Sequence, residues 1–251
     1  MKRLLFIGNS HLVAVKAAWD AAAPTGFQTE FFGAPQRAWA RMSLMPGNMF
    51  GLEGDFRRQR QITEQANGKA TVSLDNRDVI IMVGSFSAAE PLAELLADCD
   101  VPSLRETGAP TLLSEPLFAK ACHSLAAAQL PDPGWHNRPV LMVPRPAQAE
   151  TCLTSTNSGY HHWHRLAAAP HGIAQAFGIF DTTLSAQMRA QGLTYLPQPP
   201  QTRTAIGLTH AQFLAEGGGT QPGAEKKRGD HAHMNQVYGA TVVAQLLTAL
   251  Q

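Results

Sequence analysis

Cysteine is scarce in this chain, three residues in 251, and Cys99, Cys122 and Cys152 stand far apart with neither a CxxC pair nor zinc-ligand spacing. A disulfide framework and a thiolate metal centre find no support, so buried, inert thiols are expected. Charge of either sign is also sparse. Twenty Lys+Arg against nineteen Asp+Glu give a net charge of +1, and no basic stripe interleaves with aromatics, so nucleic acid is not an expected partner. Long apolar runs are missing as well. The opening MKRLLFIGNS is apolar only from Leu4 to Ile7, short of the core of about 7 residues or more that a signal peptide needs. No stretch approaches the roughly 18 apolar residues of a membrane span. A cytoplasmic protein without a membrane partner is the expectation.

What is present suits a sizeable core. Hydrophobic residues make up 44% of the sequence, and 251 residues fit one large α/β domain. The reading is a single domain over 1–251, with insertions at about 41–78 and 98–137, where glycines, asparagines, charges and prolines interrupt the pattern.

Short apolar runs end at turn-forming residues: Leu4–Ile7 at Gly8, Val79–Val83 at Gly84, and Val140–Val143 at Pro144. Runs of this length without polar alternation fit parallel strands buried on both faces. After the first, Leu12, Val15 and Trp19 recur at helical spacing, and Gln28–Phe32 closes a βαβ unit at Gly33. Near the far end, Met234, Val237, Tyr238, Val242, Leu246 and Ala249 mark one face of a final helix. Leu196–Pro200 reads as an edge strand or strap, and 211–214 as a short helix. The glycine-rich stretch 216–229 reads as a solvated loop, with a lid as the functional alternative.

The first strand-to-helix turn, Phe6-Ile7-Gly8-Asn9-Ser10-His11, carries the chemistry. In open α/β sheets ligands bind beyond the carboxyl ends of the strands, and Ser10 lies there at the head of a helix whose free N–H groups favour developing negative charge. Serine is also a favoured N-cap residue, so the same position fits a purely structural role. At the other end, Asp230-His231-Ala232-His233 supplies an Asp and a His three residues apart. A nucleophilic serine needs a base and a carboxylate that orients it, and these two offer both, although Asp230 also suits a helix cap.

The two ends together resemble the SGNH/GDSL hydrolase family, which carries its nucleophile in a Gly-Asp-Ser-like turn near the N-terminus and an Asp-x-x-His pair near the C-terminus. The resemblance implies a three-layer α/β/α sandwich of flavodoxin-like type with a mostly parallel sheet. It implies an esterase or acyl hydrolase in which Ser10 attacks, His233 is the base and Asp230 orients it, with no metal or cofactor. The substrate would be a small acyl ester, such as an O-acylated sugar. An acyltransferase using the same site and a non-catalytic ligand-binding protein are the alternatives.

The family's oxyanion hole adds a glycine after the second strand, here Gly33, to the nucleophile's own N–H. Its third donor, the asparagine of a Gly-x-Asn segment, is replaced: Val83-Gly84-Ser85-Phe86-Ser87 places Phe86 there. Ser85, Ser87, Asn9 or Asn48 are the candidate stand-ins. A second cluster, Tyr160-His161-His162-Trp163-His164, has no metal-ligand spacing and reads as an exposed loop at the site's mouth, with Trp163 placed to stack on a substrate.

Overall fold

The computed structural model describes residues 1–216 and 230–251; the segment 217–229, most of the stretch read above as a loop or lid, lies outside them. In chain order the elements are β1 (Lys2–Gly8), α1 (Leu12–Ala22), β2 (Phe27–Gly33), α2 (Gln36–Trp39), β3 (Met42–Met45), β4 (Met49–Leu52), α3 (Arg57–Asn67), β5 (Thr71–Ser73), β6 (Val79–Ser87), α4 (Ala89–Asp98), β7 (Cys99–Asp100), β8 (Thr111–Leu112), α5 (Glu115–Ala127), β9 (Val140–Arg145), α6 (His161–Ala168), α7 (Ile173–Ala190), β10 (Thr194–Tyr195) and α8 (Gln236–Ala249).

The central sheet runs β10-β9-β6-β1-β2, and every pairing in it is parallel. Counted by their appearance in this sheet, the strands have the flavodoxin-like order 2-1-3-4-5, whose switch point lies between β1 and β6. The apolar runs that lacked alternation are split by the pleat between two cores. Leu5, Ile7, Ile80, Met82, Val140 and Met142 face one way, under α4, α5, α6 and α7. Leu4, Phe6, Ile81, Val83, Leu141 and Val143 face the other, under α1 and α8. This is a three-layer α/β/α sandwich. Each fully buried Leu, Ile or Phe in it contributes roughly 1.5–3 kcal/mol relative to exposure.

The region 41–78 carries the antiparallel sheet β3-β4-β5 and helix α3. The region 98–137 carries the β7-β8 pair and α5. The prolines after Tyr195 follow the short edge strand β10 instead of forming it, and 211–213 is a single 3-10 turn. No helix among the described residues is long and apolar enough to cross a membrane.

Two readings are corrected here. The cluster from Tyr160 to His164 is not an exposed loop: it opens α6, and Trp163 is fully buried in the core, which removes it as a substrate platform. Four of the six residues expected to face inward near the C-terminal helix, Met234, Tyr238, Val242 and Leu246, are buried, while Val237 and Ala249 are exposed. Val237 is 61% exposed, and Tyr238, Val242, Val243 and Leu246 point inward. At Gly239 a Cβ would lie 2.0 Å from the Ala14 carbonyl oxygen. The glycine lets α8 approach α1 at backbone distance.

Candidate active site

Everything needed to hold Ser10 comes from the two residues beside it and from the adjacent strand end. Asn9 is buried at 1% exposure. Its Nδ2 donates to the Gly84 carbonyl at 2.5 Å and to Gln36 Oε1 at 2.9 Å, and its Oδ1 accepts the His11 N–H at 3.0 Å. The side chain thus bolts the turn after β1 to the end of β6 and to α2. Gly84 makes that bolt fit: its φ is +74°, and a Cβ would meet Asn9 Oδ1 at 2.5 Å. An aspartate at position 9 would lack the donor that the Gly84 carbonyl receives, which is a physical reason for asparagine here.

Ser10 is not the helix cap. That position falls to His11, whose side chain makes no capping bond, while Ser10 Oγ lies 2.8 Å from His233 Nε2 across 223 positions of sequence. His233 Nδ1 lies 2.7 Å from Asp230 Oδ2. With Asp230 ionised, Nδ1–H donates to it, and Nε2 is left to accept the serine proton.

The loop that carries this pair is shaped by its own carboxylate. Asp230 Oδ1 accepts the N–H of Ala232 at 3.0 Å and of His233 at 3.3 Å. Burial opposes its ionised form, yet those bonds and the imidazole hold the carboxyl below its usual range. Asp230 does not cap α8; Asn235 does, accepting the Tyr238 N–H at 3.0 Å. The Ala215 N–H donates to the His233 carbonyl at 2.9 Å and fixes the loop from outside.

His11, which follows Ser10 directly, lies behind the His233 ring. Its ring stacks on that of His233 with centroids 5.2 Å apart and planes 16° apart. Burial, reinforced by the positive charges of His233 and Arg145, pushes it down to about 3. A neutral imidazole therefore backs the catalytic-type histidine.

The proposed oxyanion donors fall into three groups. The Ser10 N–H donates to no partner among the described residues. Gly33 is different: its N–H is taken by Asn67 Oδ1 at 2.8 Å, and Asn67 Nδ2 returns a bond to the Gly33 carbonyl at 2.7 Å. It is not free to face an oxyanion in this conformation. Asn48 is nowhere near; it sits at φ +55° in the β3–β4 turn, bound to Asp75 and Arg138. Phe86, in the asparagine's place, is a core side chain packed 6.0 Å from the Tyr195 ring. Ser85 has a buried Oγ with no partner. Ser85 follows Gly84, whose carbonyl accepts from Asn9, on the strand that neighbours β1. Ser87 pairs with Arg145 beyond a bulge, and its hydroxyl makes no bond to Ser10, Asp230 or His233.

An open cleft of about 240 Å³ flanks Ser10 on the β2 side, walled by Leu12, Val13, Phe31, Ala34, Pro35 and Asn67. Asn67, the last residue of α3, had no signal in the sequence: nothing marks an asparagine 34 positions away as the partner of Gly33. Of the other histidines, His210 Nδ1 lies 3.7 Å from Glu150 Oε1, and His162 lies beside two carboxylates, with ligand atoms of Glu90, Glu94 and His162 within 4.8 Å of one another. The three cysteines are free and buried, and burial raises Cys122 to about 11 and Cys152 to about 12.

No family model, curated protein or solved structure matches this chain.

Proposed function

We propose that the protein is an SGNH-type serine esterase or acyl hydrolase acting on small acyl esters such as O-acylated sugars. The observation that carries this reading is the hydrogen-bonded chain from Ser10 Oγ through His233 to Asp230, at 2.8 and 2.7 Å. Ser10 Oγ attacks the ester carbonyl as its proton passes to His233 Nε2. Asp230 steadies the resulting imidazolium. The tetrahedral oxyanion faces the Ser10 N–H and the Ser85 hydroxyl. Collapse breaks the bond to the alcohol, which takes the proton from His233, and water then cleaves the acyl-serine by the same steps in reverse order. A sugar hydroxyl in place of that water would make the same site an acyltransferase.

One observation favours a second reading, a ligand-binding protein without turnover: the Gly33 N–H is occupied and Phe86 brings no amide. Fluorophosphonate labelling with mass spectrometry separates the two. A label on Ser10 that is lost in His233→Ala supports the hydrolase. An unlabelled Ser10, with p-nitrophenyl acetate turnover equal to that of Ser10→Ala, supports the binding protein.

A further inference from the structure

Nine buried side-chain polar atoms lack a partner among the described residues, and four of them lie at or just beyond neighbouring strand ends: His11 Nδ1, Ser85 Oγ, Arg145 Nε and Gln148 Oε1. They come from the carboxyl ends of the adjacent strands β1, β6 and β9 and from the loop after β9. That loop touches the loop of the triad, since the Ala149 N–H donates to the His231 carbonyl at 2.7 Å. Orphaned buried polar groups are rare and costly, about 1–3 kcal/mol each, and they gather where a ligand completes them.

Arg145 is the charged member of the four, and its charge reaches His11. Its guanidinium makes no hydrogen bond or salt bridge to any described residue, although it closes a central strand of the sheet. Glu90 is the acid whose charge it feels, but Glu90 Oε1 lies instead 2.9 Å from His162 Nε2. Asp230 is occupied by His233. A largely buried cation without a carboxylate partner is expensive, and a guanidinium fork matches a carboxylate in two parallel bonds. Arg145 stands two strands from the turn that holds Ser10, on the side away from the apolar cleft, at a spacing of about 10 Å.

Resting on the hydrolase reading of Ser10, we propose that the substrate is an anionic ester, whose carboxylate is seated on Arg145 while its apolar half lies in the cleft between α1 and α3. The site would then discriminate charged from neutral esters of the same shape.

Two matched pairs test this, one with the carboxylate on the alcohol half (4-acetoxybenzoate against its methyl ester) and one with it on the acyl half (the 4-nitrophenyl monoester of adipate against 4-nitrophenyl heptanoate). In at least one pair kcat/KM should favour the anion about tenfold or more, with the ratio falling to near one in Arg145→Gln and partly restored in Arg145→Lys. Ratios at or below one in both pairs overturn the proposal while leaving the hydrolase intact. Titration calorimetry with 4-hydroxybenzoate and adipate gives a readout independent of turnover: Ser10→Ala should bind at least one of them as wild type does, and Arg145→Gln should lose about tenfold or more in affinity. If no ester is turned over, that binding decides alone. Absence of binding in wild type, or binding unchanged in Arg145→Gln, defeats the anion site.

Discussion

Replacing His11 with phenylalanine keeps a flat ring against His233 and removes a group that can titrate. In the folded chain burial, helped by the charges of His233 and Arg145, holds His11 at about 3, whereas an unfolded histidine has its ordinary value of about 6.5. Between those values the unfolded chain binds a proton that the folded chain refuses. Stability supplied by a neutral His11 is therefore complete above about pH 6.5 and drains away as pH falls toward 3. From pH 7.5 to pH 5 the loss from this residue is about 2 kcal/mol, and it approaches about 5 kcal/mol below pH 3. With a urea slope of about 2–3 kcal/mol/M, the wild-type midpoint should drop by roughly 0.7–1 M more than that of His11→Phe over the same interval. Urea unfolding followed by far-UV circular dichroism at both pH values measures the difference. Equal drops in wild type and variant would refute the picture of a buried neutral imidazole behind the triad.

The remaining tests concern the site and its supports. Asn9→Asp should destabilise by about 1–3 kcal/mol in thermal or denaturant unfolding, since it faces the Gly84 carbonyl with an acceptor. Phe86→Asn, which would restore the family's amide on paper, should instead cost about 3–5 kcal/mol, because it empties a core position packed on Tyr195; a stable, faster variant would contradict that packing. Ser85→Ala should lower kcat/KM for p-nitrophenyl acetate by about 10²-fold with the unfolding midpoint unchanged, if its hydroxyl is the second oxyanion donor. Asp230→Asn should lower kcat by about 10⁴-fold, because the amide no longer selects the tautomer in which Nε2 accepts the Ser10 proton.

The sheet was legible because parallel strands buried on both faces leave unbroken apolar runs, and Leu4–Ile7, Val79–Val83 and Val140–Val143 became β1, β6 and β9. Ser10, Asp230 and His233 were legible as a motif, and the fold brings them within 2.8 Å of their partners. What stayed hidden depended on contacts that leave no local trace. The histidines around Trp163 made a buried helix look like a polar loop, since α6 hides one side of itself and wets the other. The Asn67 to Gly33 clamp joins an apparent insertion to a strand end, and no periodicity reports such a pairing. On α8 the apolar count found Tyr238, Val242 and Leu246 but missed Gly239, where the helix meets α1 at backbone distance, because a glycine is invisible to hydrophobic counting.

The distance of 223 positions between Ser10 and His233 has a meaning in time as well as in space. A ribosome makes Ser10 before β2, β6, β9 and β10 and His233 only after them, on the order of ten to forty seconds later at ordinary elongation rates. Until α8 docks on α1, the Ser10 hydroxyl has no imidazole beside it. If Ser10 is the nucleophile proposed above, its covalent labelling would report that α8 has closed on α1.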